Sequence, residues 1–343
     1  MKKYFATAMA VVMFLCGATA VAADSGKPVT LKIADSFPIK HPMNQMVNHF
    51  MEEAKKASGG GLEFDYFPAE QLGKFKDLLK LCQQGLVDIA YIGVSYFPNE
   101  LSLNSVPVLP LTTTAAEGTA AYSKLIQTSP EVQKEWANIK LRPLITVVST
   151  EYDAATVKHP ITKPEDLQGL RMKGAGGMMD KIAERYGIVP VNITIAETYE
   201  ALERGILDGS IQSIPSIKSY GFQEILRYGT HGMRMGSYIA VYAINERAWK
   251  KLPEASRNAL LKAGESASFF ASDLWDKTQA KLVQVFKEKN NIQFTEVTSA
   301  DRALWDAPLE GIEEVWINIK ENKSKPAKEV YEQYRKLAAE IVK

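Results

Sequence analysis

Leu81-Cys82-Gln83-Gln84-Gly85-Leu86-Val87-Asp88 and Ala201-Leu202-Glu203-Arg204-Gly205-Ile206-Leu207-Asp208 share one pattern, 120 positions apart. Each reads as a helix end, a glycine cap, two apolar residues and an Asp entering a strand. Two such units suggest two lobes built alike. A common helix–Gly–strand junction arising twice by chance would leave the same trace.

Around the first unit, residues 31–33 read as a strand, followed by the loop Asp35-Ser36-Phe37-Pro38. Met46, Val47, Phe50, Met51 and Ala54 then recur at helical spacing over 42–58, and Gly59-Gly60-Gly61 stops that helix. Strands are expected at 62–67 and 88–94. Between them Phe75, Leu78, Leu79 and Cys82 mark one helix face, which makes Cys82 a core filler. Helix is expected over 115–139, divided at Pro130, then a strand at 144–148.

Around the second unit, a strand at 170–173 leads through a glycine cluster to a helix at 178–186 and a strand at 189–191. Thr194 and Glu197 form a capping box opening the next helix. A strand at 238–244 follows. From Pro253 to about Asn290 only Gly264 interrupts a helical pattern, long enough to lie across both lobes. A late strand at 292–297 and helices at 300–320 and 326–341 complete the chain. Strands alternating with helices give an α/β class with mostly parallel sheets.

The 343 residues suit two domains, and 46% hydrophobic with 24% charged side chains is ordinary globular composition. With 41 basic against 40 acidic side chains, scattered along the chain, nucleic-acid binding has no support. Residues 1–23 read as a secretory signal peptide: Lys2 and Lys3, a short apolar run, then Ala20-Val21-Ala22, with cleavage after Ala22 or Ala23. The apolar run is short for a bilayer anchor. Cys16 follows Phe14 and Leu15, where a lipoprotein signal needs a small residue. Cleavage would leave Cys82 as the only thiol, and an exported chain without disulfides suits a bacterial periplasm.

His41, His49, His159 and His231 show no metal-ligand spacing and read as surface or packing residues. No nucleophile elbow or Walker loop occurs, so no cofactor and no catalytic group is assigned. The loop Lys173-Gly174-Ala175-Gly176-Gly177 begins a dinucleotide fingerprint, but Met179 takes the place of the third glycine. What remains is a glycine loop at a helix start beside a lysine, suited to a small anion or simply to a tight turn. Phe37, Tyr91, Tyr96, Tyr152 and Tyr220 lie near strand ends, where open sheets place ligands.

The chain resembles the periplasmic substrate-binding proteins of tripartite ATP-independent periplasmic (TRAP) transporters, of the DctP type. The resemblance rests on Tyr66-Phe67-Pro68, Gln71-Leu72-Gly73, Gln84-Gly85-Leu86-Val87-Asp88, and Lys163-Pro164-Glu165-Asp166-Leu167-Gln168-Gly169-Leu170. Glu197-Thr198-Tyr199, Glu203 to Gly209, and Leu252-Pro253 with its long helix extend it. It implies a two-lobed type II binding-protein fold, with parallel-rich sheets flanked by helices and a long helix spanning both lobes. Residues 24–150 with about 238–276 would form one lobe, and 151–237 with about 277–343 the other.

It also implies a cleft that closes on a small organic anion and delivers it to membrane permease subunits. In relatives an arginine after Asp-Leu-x-Gly-Leu pairs with the ligand carboxylate; here Lys173 holds that place, with Arg171 two residues earlier. Asp153 falls about where some relatives carry a second basic residue. The expected ligand contacts are Lys173, Arg171, Ser36, Phe37, Tyr91, Tyr96, Tyr152, Gln212 and Gly176. A monomer is expected. A sensory binding protein, or an exported enzyme on the same scaffold, is the alternative.

Overall fold

The computed structural model describes residues 27–174 and 176–341; the expected signal peptide lies outside them. The chain lays down β1 (Val29–Ala34), α1 (Pro42–Ala57), β2 (Leu62–Phe67), α2 (Leu78–Gln84) and β3 (Ile89–Gly93). Helices α3 (Ala115–Thr128) and α4 (Pro130–Asn138) and strand β4 (Leu141–Val148) follow. The next stretch holds β5 (Asp153–Thr156), β6 (Arg171–Lys173), α5 (Gly177–Arg185), β7 (Val189–Val191), α6 (Ile195–Glu203), β8 (Gly209–Gln212), α7 (Ile214–Ser219) and β9 (Tyr228–His231). Strand β10 (Ile239–Asn245) is followed by α8 (Glu246–Lys251), α9 (Glu254–Lys289) and β11 (Gln293–Glu296). The chain ends with α10 (Arg302–Asp306), α11 (Ile312–Asn318) and α12 (Ala327–Ile341).

Two sheets result, ordered β2-β1-β3-β10-β4 and β11-β9-β5-β8-β6-β7. Both are mixed: β10 runs antiparallel to β3 and β4, and β5 antiparallel to β8 and β9. The antiparallel strands are those next to the crossings. The chain passes from the first sheet to the second between β4 and β5, and returns between β9 and β10. The crossings are tied together where Ser149 N–H donates to Tyr238 O (2.8 Å) and Tyr152 N–H to Gly236 O (2.7 Å).

The repeated sequence unit has one geometry in both lobes. Gly85 (φ 78°) and Gly205 (φ 69°) sit in the left-handed region, where a side chain is strained. Gly85 N–H donates to Cys82 O and Leu86 N–H to Leu81 O; Gly205 N–H donates to Leu202 O and Ile206 N–H to Ala201 O. The Asp then grips a backbone N–H of the neighbouring parallel strand. Asp88 Oδ2 accepts from Lys32 N–H at 2.8 Å, and Asp208 Oδ2 from Arg171 N–H at 2.9 Å. Each unit buries its second apolar residue, Val87 or Leu207, and leaves the first, Leu86 or Ile206, exposed.

Helix α9 crosses the molecule. It packs on α1, α3 and β4 of the first lobe and on α7 and β11 of the second. Buried small residues, Ala259, Ala263, Gly264, Ala267, Ser268 and Ala271, let it approach the edge strand β4. Ser268 Oγ accepts from Thr146 N–H (3.0 Å) and donates to Gly264 O (2.7 Å), so the helix serves backbone groups that an open edge would expose.

The C-terminal region departs from expectation twice. The helix expected over 300–320 is broken at Pro308 and Gly311, whose φ of 71° is left-handed. The second departure concerns its placing with the second lobe, which fails for α11 and α12. These bury Trp316, Val330, Tyr334 and Ala338 in the core of the first lobe, with α12 against α3. Lys325 Nζ reaches Glu135 at 2.6 Å, and Trp316 Nε1 donates to Ser105 Oγ at 2.9 Å. The amphipathic face of α12 is indifferent to which lobe covers it; the free side of α3 was the available one. Among the described residues no helix is long and apolar enough to cross a membrane.

Candidate ligand-binding site

The loops after β1, β3, β6 and β8 point toward the gap between the sheets, where the two crossings and the middle of α9 also run. They enclose a cavity of 360 Å³. Much of its wall is aromatic. Trp275 and His41 have centroids 5.6 Å apart, His41 stacks on Phe37 at 4.4 Å, and Phe37 lies 4.5 Å from Tyr91. The run continues from Tyr91 to Phe75 at 5.4 Å and from Phe75 to Tyr96 at 4.8 Å. The Tyr91 and Tyr238 hydroxyls are 2.7 Å apart, fixing two of the rings.

Lys173 ends β6 and is only 4% exposed. Its ammonium has one hydrogen bond among the described residues, to Tyr96 Oη of the opposite lobe at 3.4 Å. Among the described residues it is the only Lys or Arg that lines the cavity. Glu70 also lines it, but its carboxylate accepts from Phe75 N–H (2.8 Å) and Lys74 Nζ (3.0 Å). The cavity therefore holds one buried cation with spare donors. Beside it, Gln212 is 2% exposed, and neither its amide oxygen nor its nitrogen has a protein partner among the described residues. A buried amide without partners costs stability unless something in the cavity meets it.

The loop bearing Ser36 and Phe37 is held from beneath. Asp35 is fully buried and accepts from Tyr66 Oη (2.6 Å), Tyr242 Oη (2.7 Å) and Phe37 N–H (3.0 Å). Burial still raises its pKa above the usual carboxylate value, despite those bonds.

Ser36, Phe37, Tyr91, Tyr96, Tyr152, Lys173 and Gln212 are brought together around the cavity, with Tyr220. Arg171 and Gly176 are not among its lining residues. Arg171 is exposed at the start of β6, where its guanidinium pairs with Asp208 (2.9 and 3.0 Å) and Gly205 O (3.0 Å). Like Lys32 in the first lobe, it gives its N–H to the Asp of the repeated unit, and it lies at the end of β6 away from the cleft. The glycine loop was expected to offer backbone donors. Gly176 N–H is instead bonded to Asp180 Oδ1 (3.0 Å), and Gly174 N–H to Val191 O (3.2 Å). Asp153 does not line the cavity either. It accepts from Met233 N–H (2.9 Å) and Thr230 Oγ1 (3.0 Å), with its pKa pushed up to about 6 by burial.

Sequence reasoning missed His41, Phe75, Ser149, Ser213, Ser216, Tyr238 and Trp275. Tyr238 could have been found, because it stands at the head of the return strand. Trp275 lies within a continuous helix, and nothing local marks its cleft face. His41 was read as surface or packing; it is 2% exposed and lines the cavity.

Two α/β lobes joined by paired crossings face each other across this cavity, the architecture of a solute-binding protein. The chain belongs to the bacterial extracellular solute-binding protein family 7, DctP, whose pattern it matches over residues 33–321. The C4-dicarboxylate-binding periplasmic protein DctP of Rhodobacter capsulatus is 23% identical over 287 residues, 82% of this chain and 85% of its own length. A TRAP solute-binding protein of Rhodoferax ferrireducens, crystallised with copurified benzoate, superposes with a TM-score of 0.84 at 22% identity. That match covers 92% of this chain and 98% of the other. A marine metagenome TRAP protein specific for aromatic acid ligands, in complex with 3-hydroxybenzoate, also gives 0.84, at 21% identity, covering 93% and 100%. At these identities the two structures share the fold with this chain.

Proposed function

We propose that this protein captures a small aromatic acid with a single anionic group, carboxylate or sulfonate, and hands it to the membrane permease of a tripartite transporter. The observation that carries the reading is one buried cation, Lys173, in a cavity walled by aromatic rings. Aromatic rings bury well and stack on a ligand ring, and one ammonium neutralises one charge. A C4-dicarboxylate would bring a second carboxylate to a wall with no second Lys or Arg. Burying that charge unpaired is costly. The same fold holds benzoate and 3-hydroxybenzoate in the two relatives. The secretory signal read at 1–23 is what such a periplasmic role needs, and the paired crossings are where the lobes would hinge.

The test is calorimetry on the mature chain with benzoate, benzenesulfonate and succinate. Benzoate or the sulfonate is expected to bind at least about tenfold tighter than succinate, a difference of about 1.4 kcal/mol. At one hundred times its Kd the ligand should stabilise the fold by about 2.7 kcal/mol in thermal denaturation. Tighter binding of succinate, or no response to any aromatic acid, would overturn the reading.

A second expectation concerns Gln212. Its unpartnered amide meets the ligand, so Gln212→Ala should weaken the best ligand by about tenfold, the worth of about one buried hydrogen bond. Because the amide has no hydrogen-bond partner among the described residues, unfolding of the empty variant should match the wild type. Unchanged affinity would return Gln212 to a strand-end amide.

A further inference from the structure

We propose that His41 is a ligand contact: a neutral imidazole with its proton fixed on Nε2, donating to an uncharged acceptor on the end of the ligand remote from the anion. This rests on the reading of the cavity as an aromatic-acid site.

The donor is fixed by the chain's own folding. His41 is the N-cap of α1, and its Nδ1 accepts from Met43 N–H at 3.2 Å. A ring nitrogen that accepts carries no proton, so the neutral ring holds its proton on Nε2. The ring stacks on Phe37 with an interplanar angle of 25°, and Tyr220 and Trp275 border it at 5.5 and 5.6 Å. No carboxylate is hydrogen-bonded to it, and burial holds its pKa down to about 3, so it does not become a second cation. Among the described residues Nε2 has no hydrogen-bond partner, while the residue is 2% exposed and lines the cavity. An N–H with that outlook is placed to donate to a molecule in the cavity.

The position selects the ligand end. The run of ring contacts passes from His41 through Phe37, Tyr91, Phe75 and Tyr96 to Lys173. Four rings, Phe37, Tyr91, Phe75 and Tyr96, thus lie between the neutral donor and the cation along this run. The matching ligand is an aromatic monocarboxylate with a hydroxyl, ether or carbonyl oxygen on the ring away from the carboxylate.

The experiment uses pairs of equal shape: 3- and 4-methoxybenzoate against 3- and 4-ethylbenzoate, with unsubstituted benzoate as the reference. His41→Asn keeps a side-chain oxygen for the Met43 N–H and so keeps the cap, but removes the remote donor. Wild type is expected to prefer one methoxy acid over its ethyl partner by about tenfold. In His41→Asn that ratio should fall to within about threefold of unity, each affinity being taken relative to the same variant's affinity for benzoate. An equal methoxy-to-ethyl ratio in both proteins would overturn the assignment. Long-range proton–nitrogen NMR on the ligand-free, histidine-labelled protein tests the donor separately. An Nε2–H tautomer with no titration from pH 5 to 8 is expected, and an Nδ1–H tautomer or a midpoint near 6.5 would sink it. If no aromatic acid binds, the site reading and this ligand class fall together, and the NMR result decides the donor alone.

Discussion

Lys173→Ala is expected to weaken an aromatic carboxylate by about 30-fold or more, because truncating one member of a buried charge pair costs about 2–5 kcal/mol. The magnitude follows from the lack of a substitute. Among the described residues no other Lys or Arg lines the cavity, and the N–H groups of Gly174 and Gly176 are committed within the lobe. The empty variant should unfold no earlier than wild type. The buried ammonium has only the long bond to Tyr96 Oη, and an alanine relieves its desolvation.

Lys173→Arg should retain carboxylate binding if the cavity has room for a planar fork. Arg171→Ala is the control. Its guanidinium is engaged outside with Asp208 and Gly205, so ligand affinity should stay within about threefold of wild type. Calorimetry decides: wild-type affinity in Lys173→Ala with loss in Arg171→Ala would move the anion contact two residues back.

Gly264→Ala is expected to destabilise the protein by about 3 kcal/mol, although alanine is the better helix former by about 1 kcal/mol. A methyl group at this position would fall on the carbonyl oxygen of Leu144, far inside van der Waals contact. That atom is strand backbone in β4 and has no rotamer to escape into. Helix α9 would have to lift off the edge strand, loosening the Ser268 bond to Thr146 N–H and the packing on α1. Thermal denaturation of the empty protein checks this. A melting temperature equal to or above wild type would mean that the close approach is not maintained. Gly59→Ala is an instructive contrast. Its φ of 60° is strained, but nothing stands within 4 Å of the added methyl, so the loss should be about 1 kcal/mol.

Gly264 also shows where reading from sequence stops. A glycine inside a long apolar-periodic helix looks like a weak point. In the structure it is the place where two backbones meet, and the helix continues through it because α1, β4 and α7 hold it on both sides. The opposite error occurred at 300–320, where a helical pattern was read through Pro308 and Gly311. Among the site residues, strand-end aromatics were legible because strand ends face the cleft in this class of sheet. His41 and Trp275 were not, since a cap histidine and a mid-helix tryptophan are ordinary in any core.

Local sequence determined what depends on neighbours along the chain. Two helix–Gly–Asp units, the break at Pro130, the core position of Cys82 and the length of α9 all follow from spacing, cap chemistry and apolar period, and the structure carries each of them. Tertiary structure alone decided which side chains meet. Arg171 and Lys173 are both basic, two residues apart on one short strand. Only the first lobe's placement over the end of β6, with Asp208 gripping the start, separates the exposed ion pair from the buried cation. The cavity gathers residues from Ser36 to Trp275. Contacts across such separations come from the packing of whole lobes, and no periodicity within a single element records them.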